Sequence, residues 1–185
     1  MYGGADLPAD GSLPPVTWQG AEHVERVIMI APPNAGSSEA LLELIHGRKF
    51  ALLLPFYPPA VLGTFPSMYQ LLPRNRHRPV LWDGDASRPV ADITDSGLWE
   101  RNGWGLADPK QADVLKTLLP DEPDPAVRRD IALKFQRRAL LRAREFEAAL
   151  DQPARVPAGL DLFLVAGDSI DTIAQLSVDS ADGAV

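Results

Sequence analysis

The feature that most constrains the fold of this chain lies within residues 25–47 (ERVIMIAPPNAGSSEALLELIHG). It is an uninterrupted apolar run that leads into a turn and then a helix. The run from Arg26 to Ala31 holds Val, Ile and Met without polar alternation, which predicts a strand buried on both faces, as in a parallel sheet covered by helices. The two prolines that follow end the strand, because they lack the N–H that a ladder requires. Ligands of open α/β sheets bind beyond the carboxyl ends of the strands, so this turn is a candidate binding position.

The turn itself predicts where the next helix begins and ends. Gly36 permits a backbone angle that other residues resist. Ser37 or Ser38 is expected to cap the helix, and Gly47 fits just past its end. The apolar face of this helix is predicted to be Leu41, Leu42 and Ile45.

Further elements are predicted along the chain from periodicity and from the positions of proline. Short helices are expected at 59–63, 66–71 and 113–119, a short strand at 80–82 and a turn at 180–183. A long helix is predicted at 126–150 from its apolar periodicity. A second buried strand, parallel to the first, is predicted at 160–167. The buried stripe of the long helix is predicted to be Ile131, Phe135, Ala139, Ala143, Phe146 and Leu150.

Three segments carry a resemblance to a known family. VIMIAPPNAGS (27–37) resembles the strand and turn that follow the nucleophile helix in lipase-type α/β-hydrolases, especially the lecithin:cholesterol acyltransferase-like and lipase-like subgroup. DSGLWERNGWGLADP (95–109) and LFLVAGDSID (162–171) resemble later passages of that subgroup. The resemblance covers most of the chain and implies a partial α/β-hydrolase fold, with a mostly parallel sheet, helices on both faces and a helical lid or cap. Residues 1–47 and 126–185 would form the core, and 48–125 the lid.

The resemblance implies a serine hydrolase or acyltransferase that acts on carboxylic esters, including lipid esters, through an acyl-enzyme. The sequence contains no G-x-S-x-G, so the nucleophile elbow is absent, and no histidine follows the second strand. The chain is therefore expected to be a fragment that is inactive by itself, an expectation also drawn from its loop-like first 22 residues and its end within a predicted hairpin. The alternative is a noncatalytic binding or interaction domain with hydrolase-like layers.

The resemblance also implies candidate site residues. Asp168 and Asp171 are alternative triad acids, which would hold a histidine tautomer and stabilise its imidazolium, although Asp after Gly at a strand end is also a common turn residue. Asn34 and Gly36 would border the substrate pocket. An acyl-chain pocket would be lined from the lid segment, whose apolar residues could instead form a second layer of core. The candidates include Phe56, Tyr57, Phe65 and Met68, together with Phe50, Leu53 and Tyr69.

The remaining histidines and serines favour structural roles. His23, His46 and His77 lie before a strand, in the last turn of a helix and in an Arg-rich loop. Ser37 and Ser38 occupy capping positions, and nothing in the sequence places a base beside them. The aspartate pairs do not match a calcium loop, so no metal site is predicted.

Composition excludes several classes of function. A net charge of −7 and a pI near 4.9 argue against nucleic-acid binding. The absence of cysteine excludes disulfides and thiolate sites, and the absence of a Walker A loop or G-x-G-x-x-G argues against a nucleotide cofactor. No transmembrane helix or signal peptide is predicted, which favours the cytoplasm without fixing the compartment. The oligomeric state is left open.

Overall fold

A computed structural model describes residues 12–88, 90, 92–167 and 169–185. The protein is broadly α/β, with mixed helices and a few short strands. The strands are β1 (Arg26–Ile30), β2 (Arg48–Lys49), β3 (Phe56–Tyr57), β4 (Val80–Trp82), β5 (Asp161–Val165) and β6 (Leu176–Val178). The helices are α1 (Ser38–His46), α2 (Pro59–Leu62), α3 (Pro66–Gln70), α4 (Ser96–Asn102), α5 (Ala112–Leu118) and α6 (Pro125–Asp151). Short 3₁₀ helices occupy Gln19–His23, Asn75–His77, Gly105–Ala107 and Pro109–Gln111.

Contacts divide the chain into two compact units. One comprises the described residues up to 34 together with 145–172, and the other comprises 35–144 together with 173–185. These boundaries differ from the predicted ones after residues 47 and 125. The assignment of 48–125 as a lid stays a prediction.

The first unit contains the strand pair that the two apolar runs predicted. β1 and β5 are parallel and in register, from Arg26 opposite Asp161 to Ile30 opposite Val165. The predicted burial on both faces is wrong, because Ile30 is 74% exposed and Leu164 is 67% exposed. A sheet of two strands has no neighbours in its own plane, and the described residues leave much of the apolar surface of both strands uncovered.

The second unit is built around three large aromatic side chains. Tyr69, Trp99 and Trp104 are almost fully buried, and the ring centroids of Trp99 lie 5.8 Å from Tyr69 and 5.7 Å from Trp104. Each polar ring atom has a backbone partner: the Nε1 of Trp99 donates to the Ile93 carbonyl, and the hydroxyl of Tyr69 donates to the Gly63 carbonyl. Burial raises the pKa of Tyr69, which therefore stays protonated as a donor. Two further sheets of two strands join this unit, antiparallel β2–β3 and parallel β4–β6.

The long helix α6 lies where the periodicity predicted it, but most of its predicted buried stripe is wrong. Ile131, Phe135, Phe146 and Leu150 are 38–41% exposed, and only the two alanines of the stripe are buried. Within the second unit the buried face combines three alanines with three longer side chains. This face comprises Arg128, Ala132, Gln136, Ala139, Leu140 and Ala143.

Local signals placed the shorter elements well. α2 and α3 begin at Pro59 and Pro66, as expected for proline at the first helical position. Ser37 is the N-cap of α1, with an extended backbone, but its side chain makes no capping hydrogen bond. The turn predicted at 180–183 is present and is closed by a hydrogen bond from Gly183 N to the Asp179 carbonyl.

An ion pair between Glu100 and Arg137 joins α4 to α6. Arg137 Nε lies 2.6 Å from Glu100 Oε1, and Nη2 lies 2.7 Å from Oε2. These hydrogen bonds, and then the positive charge of the guanidinium, hold the pKa of the Glu100 carboxyl below its ordinary value. A carboxyl with a lowered folded pKa stabilises the fold above its unfolded pKa of about 4.3, and this contribution is lost as pH falls through the folded pKa.

We therefore expect Glu100→Gln to be destabilising at pH 7, with a difference from wild type that shrinks as the pH falls below about 4. Urea unfolding midpoints at pH 7 and at pH 3 measure this difference. Asp121→Asn is the control, because Asp121 is exposed and makes no ion pair among the described residues. An equal loss of stability in Glu100→Gln at both pH values would contradict the inference that the ionised Glu100 carboxylate stabilises the fold through its ion pair with Arg137.

Candidate functional site

The carboxyl ends of β1 and β5 lie side by side in the first unit. Ala31 N donates to the Val165 carbonyl at 2.8 Å, so the pairing continues one residue past the last residue of β1. The Pro-Asn turn and the 166–171 loop therefore leave the sheet from one edge, which is where ligands bind in open α/β sheets. Asp171 lies in that loop and is exposed. Asp168 lies outside the described residues.

Asn34 and Gly36, the two predicted pocket residues of the turn, have different surroundings. The Nδ2 of Asn34 lies 3.8 Å from the Sδ of Met29, the fourth residue of β1. Gly36 has a φ of +80°, and a Cβ placed there would lie 2.1 Å from the Leu72 carbonyl oxygen. The glycine is thus required by the packing of its own unit, and its position reveals no contact surface for a ligand.

The apolar lining candidates lie in the second unit. Phe56 and Phe65 are exposed, Phe56 in the β2–β3 pair and Phe65 at the N-cap of α3. Tyr57 and Met68 are partly buried and pack against the aromatic core. None of the three cavities described below includes any of these four side chains. Their role in an acyl pocket stays a prediction, and the packing of Tyr57 and Met68 matches the alternative of a second core layer.

No histidine in the described residues is hydrogen-bonded to a serine. The Nε2 of His46 lies 3.3 Å from the Val185 carbonyl oxygen, and the Nε2 of His77 accepts a hydrogen bond from Arg76 Nε at 3.0 Å. Ser37 and Ser38 stand at the start of α1, and Ser38 is buried. The described residues therefore do not assemble a serine nucleophile with a histidine base.

Three of the cavities lined by described residues lie in the second unit. The first, of about 420 Å³, is lined by residues 108–115 and by the first turn of α6. The second, of about 340 Å³, is polar and includes His46, Asn102 and Asp182. The third, of about 170 Å³, is apolar and lies between α5 and α6, with Leu118, Ile131 and Phe135 in its wall. The sequence predicted none of these cavities. For the first cavity, the local sequence feature that could have drawn attention is the pair of adjacent arginines just after the start of a helix (PAVRR, 125–129).

The fold thus defines a broadly α/β protein whose described residues contain neither a group of three potential metal ligands nor a helix able to cross a membrane. No family model, curated protein or solved structure matches the chain.

Proposed function

We propose that this chain contributes part of an α/β-hydrolase-type active site that acts on carboxylic esters, including lipid esters, through an acyl-enzyme. The nucleophilic serine and the general-base histidine would be supplied by residues other than those of this sequence. The chain itself would supply the turn at Asn34 and the acid in the loop after β5, with Asp168 and Asp171 as the alternatives.

The observation that carries the proposal is the parallel, in-register pairing of β1 with β5. It brings the predicted pocket turn and the predicted acid loop to the same edge of the sheet. The uncovered apolar side chains of both strands add support, because strands without polar alternation are typical of sheets with both faces covered. The resemblance of the two segments to hydrolase passages supplies the chemistry.

The first test is hydrolysis of a nitrophenyl ester by this chain alone. We expect no rate above buffer, because no described serine is hydrogen-bonded to a histidine and acyl transfer needs an activated nucleophile. A rate well above buffer that is lost in Ser37→Ala or Ser38→Ala would overturn the assignment of the nucleophile to other residues.

The second test reads the coding DNA on both sides of this stretch and expresses the open frame that it reveals. An open frame with G-x-S-x-G upstream and a histidine downstream is expected. In its product, Asp168→Asn or Asp171→Asn should lower kcat by about 10³- to 10⁴-fold if that residue is the triad acid. Asp161→Asn is the matched control, because Asp161 begins β5 at the opposite end of the strand. In-frame stops directly on both sides would sink the catalytic proposal.

A noncatalytic binding domain is the second candidate. The observation that favours it is that no hydrogen bond between described residues joins a serine to a histidine, whereas the second unit carries cavities of its own. A monomer that unfolds cooperatively would favour this candidate, and self-association through the uncovered strands would favour the hydrolase part.

A further inference from the structure

The cavity of about 420 Å³ beside the first turn of α6 differs chemically from the other two. Its lining residues include two adjacent arginines, Arg128 and Arg129, and one acidic residue, Asp108. The rest of the wall is mainly apolar, with Ala112, Leu115 and Pro125 among its residues. Its volume falls within the range of about 300–1,000 Å³ that is typical of small-molecule sites.

Arg128 is a buried cation without a counter-charge. Arg128 is only 8% exposed. Its Nη1 donates to the carbonyl oxygens of Glu122 at 2.6 Å and Pro123 at 3.4 Å. Its Nε and Nη2 make no hydrogen bond to any described residue, and no described carboxylate forms an ion pair with it. These two nitrogens are not among the fully buried, unpartnered atoms of the described residues, so they reach solvent-accessible space, and an anion there would gain charge-assisted hydrogen bonds.

Arg129 and the end of α6 add positive potential to the same wall. The Nη2 of Arg129 donates to the Ala107 carbonyl at 3.1 Å, which holds the guanidinium at the wall while its other nitrogens make no hydrogen bond to a described residue. Pro125 and Ala126, the first residues of a 27-residue helix, also line the cavity. The N-terminus of a helix carries partial positive charge and favours anions, although here Asp124 Oδ1 already accepts the Ala126 N–H at 2.8 Å.

Asp108 does not neutralise the two arginines. Its Oδ1 accepts the Lys110 N–H at 2.9 Å, and its Oδ2 accepts from the Nε2 of Gln111 at 3.1 Å. Both carboxylate oxygens are therefore committed to neutral donors of the adjoining 3₁₀ helix, and neither lies within ion-pair distance of Arg128 or Arg129.

We propose that this cavity binds a small organic anion. Its carboxylate or phosphate group would be held by Arg128 and Arg129, because planar guanidinium groups match the geometry of both oxyanions. The apolar part of the ligand would lie against Ala112, Leu115 and Pro125. The site is formed by residues of the second unit alone and requires no ester chemistry.

The test measures thermal unfolding of the full chain with 20 mM inorganic phosphate or 20 mM hexanoate, against chloride at equal ionic strength. At least one probe should raise Tm by about 3 °C over chloride, as expected for binding at roughly ten times Kd. A rise with phosphate alone assigns a phosphate ligand, a rise with hexanoate alone assigns a carboxylate, and a rise with both supports the shared oxyanion chemistry.

Variants decide whether the effect belongs to this cavity. Arg129→Gln should abolish the rise in Tm, whereas Arg138→Gln, the same change at an exposed arginine of α6 outside the cavity, should retain it. Arg129 is exposed, so its loss should leave the fold intact even if Arg128→Gln fails to fold. Stabilisation no greater than that of chloride for both probes, a rise that persists in Arg129→Gln, or an equal loss in Arg138→Gln would overturn the proposal.

Discussion

Replacing Gly36 by alanine is expected to destabilise the second unit by about 3–5 kcal/mol, because the new Cβ adds both backbone strain and a steric clash. The φ of +80° is strained for any residue with a side chain, and the new Cβ would lie 2.1 Å from the Leu72 carbonyl oxygen and 2.7 Å from the Cα of Pro73. The opposing backbone cannot withdraw easily, since Ser37 N donates to the Leu71 carbonyl and Arg74 N donates to the Ala35 carbonyl. Urea unfolding followed by circular dichroism measures the loss.

Two glycines serve as controls that separate the two costs. Gly84→Ala, also in the second unit, has a φ of +70°, and its new Cβ would lie 3.7 Å from the Oγ of Ser177, so it should cost only the backbone strain of about 1 kcal/mol. Gly103→Ala, in the same unit, has a φ of +64° with no atom nearer than 3.6 Å to the new Cβ, so the same cost is expected. If Gly36→Ala costs no more than these two changes, the close approach to residues 72 and 73 is not a packing constraint.

The second large effect is expected at Trp99, whose truncation to alanine should cost about 3–5 kcal/mol. The residue has no exposed surface, packs between the rings of Tyr69 and Trp104, and satisfies the Ile93 carbonyl through Nε1. Truncation would leave a large cavity and an unpartnered carbonyl in the centre of the second unit. The shift in the urea midpoint, followed by circular dichroism, measures this cost.

Leu53→Ala is the matched control for the removal of a large apolar side chain. Leu53 is 96% exposed, so its truncation should change stability by less than about 0.5 kcal/mol. Similar losses of stability in Leu53→Ala and Trp99→Ala would show that the packing of Trp99 does not stabilise the core of the second unit.

Much of the local structure was predictable because its signals lie within a few residues. Prolines at 59 and 66 mark the starts of two helices, and Gly36 and Gly47 adopt the positive φ that only glycine accepts without strain. The two apolar runs predicted a parallel pair, and β1 and β5 form it. The hydrolase resemblance and the acid roles of Asp168 and Asp171 stay predictions.

The candidate anion site could not be predicted from the sequence, because it depends on distant segments. The packing of residues 108–115 against the first turn of α6 determines whether Arg128 is buried. The local fold of residues 108–111 determines that the carboxylate of Asp108 accepts hydrogen bonds from Lys110 and Gln111. The sequence shows seven basic residues on this helix without showing which are paired. The structure pairs Arg137 with Glu100 and leaves Arg128 without a carboxylate among the described residues.

By itself, the sequence determined several of the elements and their order, since proline, glycine and apolar periodicity act on the backbone over a single turn or strand, but it did not predict β2, β3 or α4. Only the tertiary structure decided which faces are buried. Spacing determines which side chains share a face of α6, but burial depends on what packs against that face. The face that includes Gln136, Ala139 and Leu140 is buried, whereas Ile131 and Phe135 are exposed. The same reason applies to β1 and β5, where an apolar run predicts a buried strand but burial requires layers that the described residues do not supply.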